Sequence, residues 1–216
     1  MPPPPALPHV DDSEDAAFYR LYGPWQPWTP TQAAQALGGW DHPWWIAGGW
    51  AIEAFSGVPR RHEDIDVALW RKDIPGLRAY LSPTYHAWAA GSGMLAPLTD
   101  QKPQLPEWSE QMWIRAHAWA PWIADFVATE DADGAWVFRR EPSFTAELDA
   151  VTWIDADGIR YLNPEIALAW KAKLARSKDD ADLAATLPRL DPAARDWLRD
   201  TVRRQHPEHH WLSQLT

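Results

Sequence analysis

The clearest alternation of apolar and polar positions lies in the segment Asp64–Trp70. Its odd-numbered apolar residues fall on one face of an extended chain, while Asp64 and Asp66 share the opposite face. The pattern therefore predicts a β-strand from which two carboxylates project in the same direction.

Shorter apolar runs and helical periodicities predict the other elements. Strands are expected at residues 44–47, 85–90, 122–127, 135–139, 151–154 and 159–162. Helices are expected at residues 11–21, 31–37, 50–55, 74–81, 164–176, 178–187 and 192–204, with Thr31 and Asn163 as N-caps. Residues 91–109 contain glycine, proline and polar residues and are expected to form a long loop.

Strands dominate residues 44–162 and helices dominate residues 163–216. This order predicts an α/β or α+β catalytic part followed by a helical C-terminal part. We therefore expect a catalytic domain over residues 11–162 and a helical domain over residues 163–216. The proline-rich residues 1–10 are expected to be flexible.

Composition narrows the class of protein. The 216 residues include no cysteine, which excludes disulfides and thiolate metal sites. The start of the chain has neither the basic region nor the apolar run of a signal peptide. No segment approaches the roughly 18 apolar residues of a membrane helix. We expect a cytoplasmic protein without membrane association.

The charge and the aromatic content bear on the substrate. The formal net charge is −10, so a long nucleic acid is a disfavoured partner, although tRNA is not excluded; a cationic small molecule fits better. The chain also contains 17 tryptophans. Most are expected to fill the core, while some could line a pocket for flat or sugar-like ligands. The tryptophans nearest the motifs are Trp44, Trp45, Trp50 and Trp113.

The paired carboxylates Asp64 and Asp66 suit a hard divalent cation such as magnesium, which prefers oxygen ligands. An isolated Asp-x-Asp pair is also common at a solvated strand edge. Here, however, the preceding predicted strand ends at Gly48 and Gly49, and a helix follows directly. Glycines at a helix N-terminus let backbone N–H groups approach a phosphate closely. The combination predicts a triphosphate-binding turn together with a metal site.

These segments resemble the aminoglycoside 2''-nucleotidyltransferase-like family, which belongs to the nucleotidyltransferase superfamily of the DNA polymerase beta type. The resemblance rests on Trp45–Glu53 and Arg60–Val67, and it extends to the later segments Trp136–Arg140, Tyr161–Glu165 and Lys171–Lys173. It implies the α+β nucleotidyltransferase fold, in which helices flank a mixed β-sheet, with a helical C-terminal segment.

The resemblance also implies roles for particular residues. Gly48 and Gly49 would hold the nucleotide phosphates, and Asp64 and Asp66 would bind magnesium. Asp125, in the strand predicted at residues 122–127, would be the third carboxylate, acting as a metal ligand or as the general base. All three aspartates are therefore candidate catalytic and metal-binding residues.

Other residues are candidates for contacting the nucleotide or for replacing Asp125. Glu130 would replace Asp125 if the aspartate points away from the site. Arg61, within the basic run Arg60–His62, would neutralise phosphate charge, although a solvated turn is equally consistent with this run. Of Lys171 and Lys173, which lie on different faces of the predicted helix, Lys171 is the expected phosphate contact.

The expected function is metal-dependent transfer of a nucleoside monophosphate, AMP from ATP, to a hydroxyl of a small acceptor, with magnesium as cofactor. The acceptor could be an aminoglycoside or a lincosamide antibiotic. The alternatives are a toxin-like nucleotidyltransferase acting on tRNA or protein, and a non-catalytic nucleotide-binding module. Glu53 departs from the aspartate that often follows the glycine motif. An acidic acceptor site would draw on Glu107, Glu110 and Glu130, and His206, His209 and His210 are expected to lie in a solvated tail rather than a metal site.

Overall fold

The computed structural model describes residues 13–216, with side chains from residue 17 onward, so the predicted flexible segment 1–10 lies outside the described residues. The helices are α1 Ser13–Tyr22, α2 Pro30–Ala36, α3 Gly48–Ser56, α4 Ile74–Leu81, α5 Leu148–Val151, α6 Pro164–Lys171, α7 Ser177–Thr186 and α8 Pro192–Gln205. The strands are β1 Trp44–Ile46, β2 Asp66–Trp70, β3 His86–Gly91, β4 Met94–Pro97, β5 Gln111–Arg115, β6 Ala124–Thr129, β7 Asp131–Ala132, β8 Ala135–Val137, β9 Thr145–Ala146, β10 Thr152–Ile154 and β11 Arg160–Leu162. Short 3₁₀ helices occupy Arg71–Asp73, Leu187–Arg189 and His210–Ser213.

The chain divides into two compact units that are each discontinuous in sequence. The first unit comprises the described part of Met1–Trp44 together with His62–Thr145, and the second comprises Trp45–Arg61 and Ala146–Thr216. These units group residues differently from the domain division expected at residue 162, which stays a prediction.

The first unit is built on a mixed sheet in which neighbouring strands follow the order β2-β6-β5-β3-β4. Strands β2 and β6 are parallel, and the pairs β6–β5, β5–β3 and β3–β4 are antiparallel. One face carries the buried row Val67, Phe126, Met112 and Ala89, each 0% exposed. Because side chains alternate across a strand, the intervening residues project from the opposite face.

In the second unit, β11 pairs with β1 in parallel and with β10 in an antiparallel hairpin. Helix α3 packs against α6 and α7, and α6 also packs against α8. Buried residues from these helices, including Ile52, Leu168, Leu183 and Leu198, form the core of this unit. No helix in the described chain is both long and apolar enough to span a bilayer.

Most predicted elements are present, with shifted ends. Helix α4 has the predicted bounds, and the hairpin of β10 and β11 was also expected. Helix α2 is capped by Thr29 rather than Thr31, because a reciprocal pair of hydrogen bonds joins Thr29 and Gln32 in a capping box.

The predicted loop at residues 91–109 is wrong for its first part. Residues 94–97 form β4, which joins β3 through a turn at Ser92 and Gly93, both with positive φ. Strand β5 also lacks a counterpart among the predicted elements. The helix expected to reach residue 176 ends at Lys171 instead, and the chain turns at Ala175 with a φ of 45°.

Candidate active site

Asp66 and Asp125 lie directly opposite each other on the neighbouring parallel strands β2 and β6. Adjacent strands are about 4.8 Å apart, and opposed residues project their side chains to the same face. The sheet therefore brings together two carboxylates that are 59 positions apart in the sequence. Asp64 precedes β2, because the strand begins at Asp66 rather than at the predicted residue 64.

The Asp125 side chain is buried, with the residue only 4% exposed. Its Oδ2 atom accepts a short hydrogen bond from the side-chain amide of Gln111 on β5. Burial raises the pKa of Asp125 well above its usual value, and the nearby charges of Asp66 and then Asp64 raise it further. Asp125 is thus a carboxyl group with a high proton affinity beside two other carboxylates.

Trp113 lies opposite Asp125 on the antiparallel strand β5. Its indole N–H opposes the upward shift in the pKa of Asp125. Within the described residues, however, neither Trp113 Nε1 nor Asp125 Oδ1 has a partner in hydrogen-bond geometry, although both atoms are buried. Buried polar atoms rarely stay unsatisfied, so Asp125 Oδ1 marks a place where a bound group can supply a further contact.

The three aspartates are not gathered into a ready metal centre. In the part of the chain that the structure describes, no group of three or more His, Cys, Asp or Glu side chains is positioned to hold a metal ion. Asp64 is exposed outside the strand, Asp66 is half-buried and Asp125 is buried.

The donor set nevertheless fits a hard divalent cation. Carboxylate oxygens are the ligands that magnesium prefers, and the buried Asp125 Oδ1 has an unused acceptor position. Asp66, which lies opposite Asp125, would be a second ligand, and Asp64 would be a third. The predicted metal-binding role of these three residues stays a prediction that this geometry favours.

Gly48 and Gly49 lie in the second unit, where they form the start of α3. The helix begins at Gly48 rather than at the predicted Trp50, and Ala47 is its N-cap. Gly48 has a φ of 59°, which a residue with a Cβ adopts only at a cost. The glycine pair therefore opens a helix whose first N–H groups have no intrahelical acceptor, as a phosphate-binding turn requires.

Residues 31–92 match the family model described as aminoglycoside-2''-adenylyltransferase. Comparison with curated proteins by sequence finds no match. Among solved structures, the crystal structure of ANT(2'')-Ia in complex with adenylyl-2''-tobramycin is similar, with 17% identity and a TM-score of 0.56 over 82% of this chain and 98% of that chain. The solution structure of ANT(2'')-Ia gives 17% identity and a TM-score of 0.52 over 83% and 93% of the two chains.

The lincomycin-bound crystal structure of the lincosamide antibiotic adenylyltransferase LnuA is similar as well, with 14% identity and a TM-score of 0.50 over 72% of this chain and 92% of that chain. The chain has a nucleotidyltransferase fold. The resemblance stated from the sequence is confirmed by these matches, and with it the prediction of a nucleotidyltransferase enzyme.

Lys171 of this nucleotidyltransferase lies in a buried charge network of the second unit. Its Nζ atom is 3.2 Å from Asp179 Oδ1 and 2.9 Å from Asp182 Oδ2. Arg60 Nε is 2.9 Å from Asp182 Oδ1, and Arg176 donates to Asp179. Burial alone would raise the pKa of Asp179, but the Arg176 hydrogen bonds and the charge of Lys171 outweigh burial and lower that pKa. The expected phosphate-contacting role of Lys171 stays a prediction; its observed role is to neutralise two buried carboxylates.

The predicted nucleotide contact Arg61 is exposed, whereas its neighbour Arg60 is held by Asp182. Glu53, which replaces the expected aspartate, accepts a hydrogen bond from the backbone N–H of Arg60 at 2.9 Å. Glu53 thereby fixes the segment that follows α3. The pairing of Arg60 with the distant Asp182 distinguishes it from Arg61. The local sequence does not reveal this pairing.

The proposed acidic acceptor residues are not assembled near Asp125. Glu130, the alternative third carboxylate, follows β6 at the end opposite to Asp125, about 16 Å along the strand at 3.3 Å per residue. Its Oε1 atom accepts from Arg71 Nε at 2.6 Å. Glu110 pairs with Arg139, and Glu107 is exposed. Asp125 rather than Glu130 therefore lies beside Asp66.

The expectation of a solvated histidine tail is wrong. His209 Nε2 donates to the Ala172 carbonyl at 2.8 Å, while Asp180 contacts His210 Nε2 at 2.8 Å and accepts from Trp211 Nε1 at 2.6 Å. Trp211 is 0% exposed. The buried indole anchors the terminal segment on the helices of the second unit. His209 and His210 are thus hydrogen-bonded to residues of the second unit.

Proposed function

We propose that this chain is a metal-dependent adenylyltransferase, which transfers AMP from ATP to a hydroxyl of a small acceptor of antibiotic type. The observation that carries this proposal is the pairing of Asp66 with the buried, partly unsatisfied Asp125 across β2 and β6. The family match over residues 31–92 and the adenylyltransferases of the same fold support the same chemistry.

In the proposed reaction, the acceptor oxygen attacks the α-phosphorus of ATP. A new phosphorus–oxygen bond forms, the bond to the bridging oxygen breaks, and pyrophosphate leaves. A divalent cation, when bound, would neutralise the charge that develops on the phosphate oxygens. Asp66 and Asp125 would hold this cation, with Asp64 as a further ligand.

Asp125 has the properties required to receive the proton of the acceptor hydroxyl. Its high proton affinity arises from burial and from its acidic neighbours, and Gln111 fixes the orientation of the carboxylate through Oδ2. Gln111 holds Oδ2, which leaves Oδ1 for the cation or for the acceptor proton. Gln111 was not among the residues expected from the sequence.

Gly48, Gly49, Arg61 and Lys171 remain the proposed nucleotide-binding residues. The first two have the best support, since they open α3 and carry the N–H donors of a helix N-terminus. The ammonium group of Lys171 is already paired with two aspartates. Because ATP is the proposed substrate, we place the activity in the cytoplasm.

The proposal predicts that purified protein with ATP, Mg²⁺ and a suitable acceptor releases pyrophosphate and forms an AMP adduct. The panel should contain lincomycin, tobramycin and tRNA, with adduct mass measured by mass spectrometry and pyrophosphate by a coupled assay. Excess EDTA should reduce the rate to background, and added Mg²⁺ should restore it, because the proposed cation is needed to neutralise the charge that develops on the phosphate oxygens.

AMP labelling of tRNA with no small-molecule adduct would move the chain to the toxin-like class. Pyrophosphate release that persists in EDTA would contradict metal dependence. Binding of ATP without any adduct in a broad hydroxyl panel would favour the non-catalytic alternative.

A further inference from the structure

The carboxylate pair continues across the sheet as an aromatic row. Trp113 lies opposite Asp125, and Trp88 on β3 lies opposite Trp113. Directly opposed residues project to the same face, so Asp66, Asp125, Trp113 and Trp88 form one row. A molecule that approaches Asp125 from the β5 side therefore meets the indole of Trp113 first.

The Trp113 ring is fixed by its neighbours but is only half-buried. Trp25 and Trp122 contact it in edge-to-face geometry, at centroid distances of 5.0 and 5.5 Å. Phe18 and Tyr22 of α1 lie 6.2 and 6.4 Å from it. A ring held in this way loses little freedom on ligand binding, which favours its use as a stacking surface.

Arg115 adds positive charge to the same face, two positions beyond Trp113 on β5. Its guanidinium lies 4.2 Å from the centroid of the Trp122 ring and 5.0 Å from that of Trp88. Its Nε atom is buried and lacks a hydrogen-bond partner among residues 13–216. This charge disfavours a second cation nearby, since desolvated like charges repel strongly.

The acidic candidates other than the three aspartates lie elsewhere in the first unit. Glu110 and Glu130 are near the opposite end of β5 and β6 and are paired with Arg139 and Arg71. The environment of Asp125 on the β5 side is therefore aromatic and cationic rather than acidic.

We propose that Trp113 is the platform of the acceptor subsite, and that it selects a hydroxyl compound with an apolar face and at most one positive charge over a polycation. This inference rests on the proposed adenylyl transfer and narrows its acceptor. The acceptor would stack on Trp113 and present its hydroxyl to Asp125.

The test uses lincomycin, which has one amine, and tobramycin, which has several, as probes. Trp113→Leu replaces the flat ring with an apolar side chain that is not aromatic, and Trp113→Phe retains a smaller ring. Trp108→Leu is the matched control, because Trp108 is also half-buried in the first unit but lies beside Gly91, at the opposite end of β5. Binding of each probe is measured by calorimetry without nucleotide, and KM for acceptor and for ATP is measured separately.

We expect the wild-type protein to bind lincomycin more tightly than tobramycin. Trp113→Leu should weaken lincomycin binding and raise its KM about tenfold, Trp113→Phe about threefold, and Trp108→Leu less than twofold, as the loss of one aromatic platform implies. KM for ATP should stay within about twofold in all three variants. Circular dichroism monitors the folding of each variant. If Trp113→Leu unfolds, Trp113→Phe still tests the inference.

Tighter binding of tobramycin than lincomycin, absence of lincomycin binding at millimolar concentration, or equal effects at Trp113 and Trp108 would overturn the inference. If tobramycin is adenylylated at the same rate in the wild-type protein and in the Trp113 variants, the proposed function stands but Trp113 is not part of the acceptor subsite. Lincomycin binding that depends on Trp113 but never leads to an adduct with any acceptor would support the subsite and overturn the proposed function.

Discussion

Asp66→Asn and Asp125→Asn are each expected to lower the rate of AMP transfer about a thousandfold or more, while the protein stays folded. Each substitution removes a carboxylate, a proposed cation ligand, from the pair that faces across β2 and β6. An amide at either position binds a divalent cation weakly and cannot accept a proton, so the charge that develops at phosphorus loses its compensation. The measurement is the single-turnover rate of adduct formation at saturating ATP and Mg²⁺.

The same two variants should be at least as stable to heat as the wild-type protein. Asp125 is buried beside Asp66 and Asp64, and this arrangement raises its pKa because the ionised form is disfavoured. Removing one charge relieves repulsion, so a low rate cannot be attributed to unfolding. Asp100→Asn is the control, because the exposed Asp100 carboxylate pairs only with Arg78 among the described residues. Wild-type rates in either site variant would remove Asp66 or Asp125 from the reaction.

Lys171→Met is expected to destabilise the folded protein by about 3 kcal/mol, because breaking a buried ion network leaves uncompensated charge. The side chains of Asp179 and Asp182 are 0% and 3% exposed, and Lys171 contacts both. Arg60 still pairs with Asp182 and Arg176 still pairs with Asp179, so the loss is large without being complete. For a chain of this size the melting temperature should fall by about 10 °C.

Lys173→Met is the matched control, since Lys173 is exposed two residues further along. Its melting temperature should stay within about 1 °C of the wild-type value, as for most surface substitutions. KM for ATP separates the two roles of Lys171. A raised KM with an unchanged melting temperature would establish the nucleotide contact expected from the sequence, and it would contradict the structural role given to the network.

The carboxylate site could be predicted largely from local pattern. Alternation in the segment before Trp70 places Asp64 and Asp66 on one face, and the apolar flanks of Asp125 predict a strand around it. The pairing of Asp66 with Asp125 requires β2 and β6 to be neighbours, which no local pattern specifies. The resemblance to a known family supplied that long-range information.

Strand β5 was not predicted from the local sequence pattern. Met112 and Ile114 are buried, while Gln111, Trp113 and Arg115 alternate with them on the other face. Buried and less buried side chains alternate along β5 with a period of two. Because Trp113 is large and apolar, the alternation of apolar and polar residues is not apparent in the sequence. Because β5 was absent from the prediction, Gln111 and Arg115 were not identified as neighbours of the site.

Helix ends show a different limit. The chain leaves α6 after Lys171 and adopts a left-handed conformation at Ala175, where glycine is the usual residue. No sequence signal marks this break. The prediction for the terminal histidines is wrong for a related reason, since burial of Trp211 depends on helices formed far earlier in the chain.

The most direct test of the carboxylate pair is Mn²⁺ binding in the presence of a non-hydrolysable ATP analogue, monitored by the paramagnetic resonance signal of free Mn²⁺. The wild-type protein and Asp100→Asn should deplete this signal equally, and Asp66→Asn and Asp125→Asn should deplete it far less. Equal depletion by all four proteins would contradict the assignment of Asp66 and Asp125 as the residues that hold the cation for nucleotidyl transfer.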